Sequence, residues 1–201
     1  MWSKEWTDNQ EKYVKTVEEL KDLPQAGQIF LHLGCGPKIF DKWINIDKFY
    51  DDPKVLKQDC YNPEFLEYSI DGIYSSHTLE HMPIRQARLA LKNWFKILKP
   101  GGKLFLAIPD MEETMRIILD TSVPFYLRYT WFMYVLFGYQ TSSSEIDPPL
   151  DVPVDPGQFH TCGFTEELIR FYLEDDGYII KELCHYDGFD TPSMYIEAFK
   201  P

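Results

Sequence analysis

Glycines and aspartates stand at the ends of three short apolar runs early in the chain. Gly34 and Gly36 follow the first run, Asp47 ends the second, and Asp59 follows the third. A turn without side chains lets a ligand approach the backbone, and a carboxylate at a strand end can accept the hydroxyls of a ribose. The spacing therefore predicts an adenosine site at one edge of a sheet, with Asp47 at the ribose and Asp59 at the adenine amino group.

A second group of reactive side chains lies in the sequence HTLEH, residues 77–81. Its histidines and glutamate match the H-x-x-E-H pattern of some zinc proteases, which needs one helix face and a further ligand. Here the pattern follows a predicted strand, and Pro83 disfavours helical backbone at the residue before it. Farther along, His160 precedes Thr161 and Cys162, but the sequence offers them no complementary ligands. We therefore expect a loop beside a cofactor and no metal site.

Alternating apolar runs and helical patterns must position these residues. Five runs predict strands, and the clearest amphipathic helix covers 84–99. The predicted strands are 29–33, 43–47, 55–58, 72–76 and 103–108. Because the runs are mostly apolar and alternate with helices, the predicted fold class is α/β, a mostly parallel sheet covered on both faces. The last two runs, 178–186 and 194–199, are too close for a parallel crossover, so they predict an antiparallel hairpin.

The chain of 201 residues suits a single domain, 1–201, with a helical N-terminal segment and one long insertion. The N-terminal segment covers 1–27. The insertion covers 111–160; its first part is aromatic, and its second part, 145–157, is rich in proline and acidic residues. Such an aromatic stretch can be core, a dimer interface or a lid over a substrate, and the sequence leaves these alternatives open.

Charge and cysteine content narrow the range of partners. The net charge is −12, so we expect no nucleic acid partner, because such a partner requires a basic surface. The apolar stretch 123–139 is short and is interrupted by Arg128, so we expect no membrane insertion. Four cysteines without a CxxC pair predict reduced thiols and a cytoplasmic protein: Cys35, Cys60, Cys162 and Cys184.

Four motifs in a fixed order carry a resemblance to a known family: LHLGCGP at 31–37, WINID at 43–47, SHTLEH at 76–81 and LKPGGKL at 98–104. Together they resemble class I S-adenosylmethionine-dependent methyltransferases, and more narrowly the bacterial type 11-like methyltransferases often associated with surface-polysaccharide genes. The match runs over 29–108 and resumes at FHTCGF, 159–164. It implies a Rossmann-like, seven-stranded sheet with an antiparallel final strand, and S-adenosyl-L-methionine as the cofactor.

The resemblance also implies a role for each matched position. The glycine turn would lie against the methionine moiety and the ribose, Asp59 and Cys60 would lie at the adenine, and the residues after the fourth strand would face the sulfonium. The implied cofactor-binding residues are Gly34, Cys35, Gly36, Asp47, Asp59, Cys60, Ser76 and His77. The chain departs from the family at His32, which replaces an acidic residue, and at 37–42, a connection so short that the first crossover helix should be vestigial.

The predicted function is transfer of a methyl group to a small acceptor, a hydroxyl of a sugar or of a glycoconjugate precursor. A hydroxyl benefits from a base, and a neutral histidine is suited to that role. His160 is the first candidate, although a loop histidine bonded to the backbone fits the sequence equally, and His81 is the second. Two other functions share these motifs: a dinucleotide-dependent oxidoreductase, which Ile39 and the terminal hairpin disfavour, and a non-catalytic adenosine-binding module. A homodimer through the aromatic insertion is a further prediction.

Overall fold

The computed structural model describes residues 4–138, 155–187 and 191–201. Its helices are α1 (Lys4–Lys21), α2 (Ile84–Ile97), α3 (Met111–Leu119), α4 (Phe132–Phe137) and α5 (Glu166–Asp176). Its strands are β1 (Phe30–Leu33), β2 (Ile44–Ile46), β3 (Val55–Leu56), β4 (Ile70–Ser76), β5 (Leu98–Pro109), β6 (Ile179–Asp187) and β7 (Pro192–Phe199). Two 3₁₀ turns, Leu79–His81 and Pro156–Gln158, and a π turn, Leu127–Trp131, complete the described elements.

The seven strands form one sheet in the order β3-β2-β1-β4-β5-β7-β6. Neighbouring strands are parallel except at β7, which runs antiparallel to both β5 and β6. This arrangement confirms the predicted α/β fold with an antiparallel hairpin at its end. Several boundaries differ from the prediction by one or two residues, and one by more: β5 begins at Leu98 rather than at 103, because Leu98 already pairs with Ile70 before the register shifts.

Helices cover both faces of the sheet, as the apolar strands predict. On one face α2 and α5 pack against the sheet and bury Trp94 and Leu173 completely. The Trp94 indole Nε1 donates to the Cys60 carbonyl at 2.7 Å, which ties α2 to the loop after β3. On the other face α1 buries Tyr13 and Leu20 in a second, largely aromatic cluster.

The connection between β1 and β2 contains no helix, as its short length predicts. The chain makes a tight turn instead, in which the amides of Gly34 and Cys35 both donate to the Ile46 carbonyl, at 2.8 and 3.1 Å. Phe40 and Trp43, from the same connection, join the aromatic cluster under α1. The glycine turn is therefore fixed directly to the end of β2.

The insertion leaves the sheet at α3 and returns to it through short pairings. Asp110 caps α3, because its Oδ1 accepts from the amides of the second and third helical residues, at 3.1 Å each. After α4, Gly138 pairs with Phe159 in an antiparallel bridge, and Asp110 pairs with Phe164 in a parallel one. Residues 139–154 lie outside the described ranges, and with them most of the predicted proline- and acid-rich part.

The aromatic first part of the insertion is only partly packed. Phe125, Tyr126 and Tyr129 are 70%, 59% and 51% exposed, so these three rings are not core, whereas Val135 in α4 is buried. The apolar stretch that begins at Val123 is divided between the π turn and the short α4. Across the described ranges, no helix combines the length and the apolar character needed to cross a membrane.

Candidate active site

The glycine turn after β1 is shaped by close contact on one side and open space on the other. Gly34 has a φ of +69° and Gly36 a φ of +47°, a region that glycine adopts without strain. A Cβ on Gly34 would lie 2.1 Å from Thr78 Oγ1, whereas a Cβ on Gly36 would meet nothing within 4 Å. Gly34 thus packs against the loop after β4, and Gly36 presents open backbone to the adjoining cavity.

The Asp47 carboxylate organises the loop after β2. Its Oδ2 accepts from the Gly36 amide at 2.9 Å, and its Oδ1 accepts from the amides of Phe49 and Tyr50 at 2.8 and 2.9 Å. A carboxylate offers about four lone-pair positions, so these bonds leave one on Oδ2 for a ribose hydroxyl. Besides its predicted role at the ribose, Asp47 therefore holds the glycine turn in place.

A cavity of about 510 Å³, here called the cofactor cavity, lies between these loops. Asp47, Asp59 and Cys60 line it together with the glycine turn, so the predicted ribose and adenine residues share one pocket. At its exposed rim, Asp59 Oδ2 accepts from Lys48 Nζ at 2.8 Å. Burial raises the pKa of the Cys60 thiol to about 12, so this side chain is a neutral wall rather than a nucleophile.

A second cavity of about 470 Å³, here called the acceptor cavity, adjoins the first along the glycine turn and His77. Ser76 and His77, at the end of β4, line it where the family resemblance implies the sulfonium. Burial lowers the pKa of the His32 imidazole to about 4, so this residue is uncharged at the position where the family resemblance implies an acid. The rest of the wall is largely aromatic and includes Tyr13, Tyr74, Tyr134 and Tyr186.

Glu80 lines the acceptor cavity among three histidines. Its side chain is only 1% exposed, and neither carboxylate oxygen has a hydrogen-bond partner among the described residues. His77 Nδ1 lies 3.2 Å from Oε1, and donor atoms of Glu80, His81 and His160 all lie within 4.8 Å of one another. Burial by itself would raise the pKa of Glu80, but the contact with His77 holds it below its usual value.

The tautomers of His81 and His160 follow from their hydrogen bonds. His81 Nδ1 lies 3.0 Å from the Phe159 carbonyl oxygen, and His160 Nδ1 lies 2.7 Å from that of Val135. A carbonyl oxygen only accepts, so Nδ1 carries the proton in both rings, and in the neutral rings each Nε2 holds a lone pair. Burial also lowers the pKa of His160, which favours its neutral form.

Backbone hydrogen bonds bring these distant segments together. The amides of Thr161 and Cys162 donate to the Glu80 carbonyl, at 2.7 and 3.2 Å. On the other side, the His160 amide donates to the Phe137 carbonyl at 3.0 Å. His160 is therefore held between the end of α4 and the 3₁₀ turn after β4.

Every residue predicted for cofactor binding or catalysis lines one or both of these cavities: Gly34, Cys35, Gly36, Asp47, Asp59, Cys60, Ser76, His77, His81 and His160. Sequence reasoning missed two features of the acceptor cavity. The sequence marks Glu80 only as part of the HTLEH pattern and indicates no complementary ligands for His160, whereas the structure places Glu80 and His81 beside His160. Tyr13 and Tyr186 were also missed, because no local motif marks residues that reach the site from α1 and β6.

Sequence and structure comparisons relate this chain to known proteins. Residues 37–106 match the family model described as a methyltransferase domain. This segment contains the Asp47 loop, β4 and the HTLEH turn, and it ends within β5. No curated protein sequence matches the chain.

Solved structures with the same fold are distant in sequence. A SAM-dependent methyltransferase from Methanosarcina mazei is 17% identical, with a TM-score of 0.61, and the match covers 90% of this chain and 96% of that one. A magnesium protoporphyrin IX methyltransferase from Synechocystis with bound SAH is 15% identical, with a TM-score of 0.58 and coverage of 95% and 81%. An S-adenosylmethionine-dependent methyltransferase from Mesorhizobium loti is 13% identical, with a TM-score of 0.55 and coverage of 92% and 96%.

Proposed function

Because the chain is a class I methyltransferase that uses S-adenosylmethionine, as its motifs, family match and fold together indicate, we propose that it methylates a hydroxyl of a small acceptor. The family match and the fold support the predicted enzyme class and cofactor; the acceptor is the proposal. One observation carries it: two imidazoles, each with its proton on Nδ1, line the cavity that adjoins the glycine turn. A hydroxyl needs a proton acceptor, whereas a neutral amine already has a lone pair with which to attack.

We assign the cofactor cavity to the adenosine part of S-adenosylmethionine. Asp59 and Cys60 would lie at the adenine, and the remaining lone pair of Asp47 would accept a ribose hydroxyl. Gly36 leaves open backbone where the cofactor passes into the acceptor cavity, towards Ser76 and His77. When bound, the cofactor supplies a methyl group that its sulfonium already activates.

On the acceptor side, the chain supplies alignment and a place for the proton. Holding a nucleophile in line with its target can contribute about 7–11 kcal/mol. As the hydroxyl oxygen bonds to the methyl carbon, the carbon–sulfur bond breaks and its electron pair stays on sulfur. The hydroxyl proton passes to Nε2 of His160, for which His81 is the second candidate. The buried Glu80 carboxylate then stabilises the imidazolium that forms.

We propose a sugar or a glycoconjugate precursor as the acceptor. The wall of the acceptor cavity combines aromatic faces with the hydroxyl groups of Tyr13, Tyr74 and Tyr186 and the imidazole of His32. Such groups offer a polyhydroxylated ring both apolar contact and hydrogen-bond partners. The narrow resemblance to methyltransferases associated with surface polysaccharides points to the same class.

Three further predictions concern the protein as a whole. A homodimer through the insertion is supported by the exposed rings of Phe125, Tyr126 and Tyr129. A cytoplasmic location is supported by four cysteines that are all free thiols. The single domain 1–201 is supported by one sheet that includes strands from both ends of the described chain.

Thermal unfolding with added ligands tests the cofactor against the two alternative functions. A ligand at about one hundred times its dissociation constant adds about 2.7 kcal/mol, and each kcal/mol shifts the Tm of a protein of this size by about 2–4 °C. We expect stabilisation by S-adenosylmethionine and S-adenosylhomocysteine but not by NAD. A shift with NAD alone would indicate the oxidoreductase.

A methyl-transfer assay tests the acceptor. Radiolabelled S-adenosylmethionine is incubated with matched sugars, amino sugars and uronic acids, and mass spectrometry locates the methyl group. We expect O-methylation of a sugar hydroxyl. Methylation confined to the amine or the carboxylate would contradict the proposal, and cofactor binding without transfer to any acceptor class would favour the non-catalytic module.

A further inference from the structure

We propose that Glu80, His81 and His160 bind a divalent transition-metal ion in the acceptor cavity. Glu80 supplies one carboxylate oxygen, and His81 and His160 each supply one ring nitrogen. These three atoms all lie within 4.8 Å of one another. Ligand atoms at about 2.0–2.2 Å from an ion lie up to about 4 Å apart, so small side-chain movements would complete the site.

The Glu80 carboxylate gives the first independent reason for a cation. It is buried, and neither oxygen has a hydrogen-bond donor among the described residues. A buried carboxylate whose contact is a single imidazole is poorly compensated, whereas a carboxylate that coordinates a metal is compensated more fully. His77 Nδ1, at 3.2 Å from Oε1, approaches one oxygen only.

The hydrogen bonds of the two imidazoles give the second reason. Histidines that bind metals commonly donate their other ring N–H to a backbone carbonyl or a carboxylate, which fixes the tautomer and orients the ring. His81 and His160 both do so, towards the carbonyls of Phe159 and Val135. Each ring is thereby held with an unprotonated Nε2, the form that binds a metal.

A metal ion is also a better source of positive charge for Glu80 than two protonated histidines would be. The rings of His81 and His160 meet edge to face with their centroids 4.8 Å apart, so two imidazolium charges would repel each other. A single divalent ion supplies positive charge to Glu80 while both rings stay neutral.

The donor set indicates which ions fit. Two imidazoles and one carboxylate suit Zn²⁺, Fe²⁺, Co²⁺ or Mn²⁺, whereas Mg²⁺ and Ca²⁺ prefer oxygen ligands throughout. Three protein ligands leave open coordination positions, as in catalytic rather than structural zinc sites. All three residues line the acceptor cavity, so an open position would face the space that we assign to the acceptor.

The role of the ion rests on the proposed function, whereas its binding does not. An acceptor hydroxyl that coordinates the ion loses its proton more readily, because the ion stabilises the alkoxide. The proton is released to solvent water, the oxygen bonds to the methyl carbon, and the carbon–sulfur bond breaks with its electron pair on sulfur. With the ion in place, His160 is a ligand of the metal and does not accept the hydroxyl proton.

Metal binding is tested directly with Co²⁺ as the probe. Protein without a histidine tag is stripped with a chelator, dialysed and titrated with Co²⁺, and visible absorption and metal content are measured; Zn²⁺ then competes for the site. The variants are Glu80→Gln and His160→Asn. The matched control is His185→Asn, which removes a histidine placed between two carboxylates, Asp110 and Glu166, outside both cavities.

We expect about one Co²⁺ per chain in the wild type and in His185→Asn, displaced by Zn²⁺, and loss of the absorption band in both site variants. Stabilisation by S-adenosylhomocysteine, measured in parallel, shows that each variant is folded; if Glu80→Gln fails this check, His160→Asn decides. No uptake by the wild type, or equal uptake by the site variants, overturns the metal site and leaves the methyltransferase proposal standing. Uptake without methylation of any hydroxyl would overturn the proposed acceptor instead.

Discussion

The cofactor cavity and the acceptor cavity share a wall, yet the chain builds them differently. Around the first, Gly36 and Asp47 are only eleven residues apart in sequence, and a hydrogen bond of 2.9 Å joins them. Around the second, Glu80 meets His160 only because the insertion returns to the 3₁₀ turn, and Tyr13 arrives from the N-terminal helix. Local backbone geometry thus forms the cofactor half, whereas the acceptor half depends on the packing of distant segments.

This contrast predicts that substitutions on the two sides have separable effects. Changes in the acceptor half should reduce turnover while the protein still binds S-adenosylhomocysteine. Changes in the cofactor half should weaken that binding first, because the Gly36 amide and the Asp47 carboxylate hold the turn that we assign to the cofactor.

The largest separation is expected at His160. His160→Ala removes the Nε2 lone pair under either role assigned to it, and removing such a group lowers kcat by about 10²–10⁴-fold. The affinity for S-adenosylhomocysteine should stay unchanged, because His160 lines the acceptor cavity alone. Steady-state kinetics with the acceptor from the screen, together with calorimetric titration, measure both quantities. Wild-type turnover in both His160→Ala and a parallel His81→Ala variant would show that neither histidine takes part in the mechanism.

Gly34→Ala should produce the next largest effect, now on the cofactor side. Its Cβ would lie 2.1 Å from Thr78 Oγ1 at a φ of +69°. Overpacking and left-handed backbone together cost about 2–4 kcal/mol, so the Tm and the affinity for S-adenosylhomocysteine should both fall. Gly36→Ala is the matched control, since its Cβ meets nothing within 4 Å and only the backbone cost of about 1 kcal/mol remains. Equal losses in the two variants would show that the contact with Thr78 does not matter.

Asp47→Asn tests whether one carboxylate both holds the glycine turn and binds the cofactor. The amide group of asparagine cannot accept all three of the backbone bonds that Asp47 accepts. Leaving a partly buried donor such as the Gly36 amide unpaired costs about 1–3 kcal/mol, so the affinity for S-adenosylhomocysteine should fall by about 10–100-fold. Calorimetric titration measures this loss, and turnover at saturating cofactor should recover most of its wild-type value. An unchanged affinity would contradict the role of Asp47 in both functions.

The same contrast explains how much of the site the sequence predicts. The glycine turn, Asp47 and Asp59 can be predicted because parallel strands place their carboxyl ends at one edge, so the order along the chain fixes their positions. The terminal hairpin follows from loop length alone. The cluster of Glu80, His81 and His160 cannot be predicted this way. The partners of His160 depend on how far α3 and α4 carry the chain before it returns to Glu80.

His185 supports the acceptor half from outside it. Its Nδ1 lies 2.7 Å from Asp110 Oδ2, and its Nε2 lies 2.9 Å from Glu166 Oε2, which links β6 to the start of the insertion and to α5. These two carboxylates raise the pKa of His185 to about 9, in spite of partial burial, while Arg170 also pairs with Glu166.

The smallest of these effects is a decrease in the free energy of unfolding as rising pH removes the proton from His185. Because its pKa is higher in the folded chain than the unfolded value of about 6.5, the stabilisation is complete below that pH and is lost as the pH rises through about 9. Solvent screens the partly exposed imidazole, so we expect about 1 kcal/mol. The difference in Tm between wild type and His185→Asn, measured from pH 6 to pH 9.5, isolates this contribution from that of the thiols. A difference that does not narrow with rising pH would contradict it.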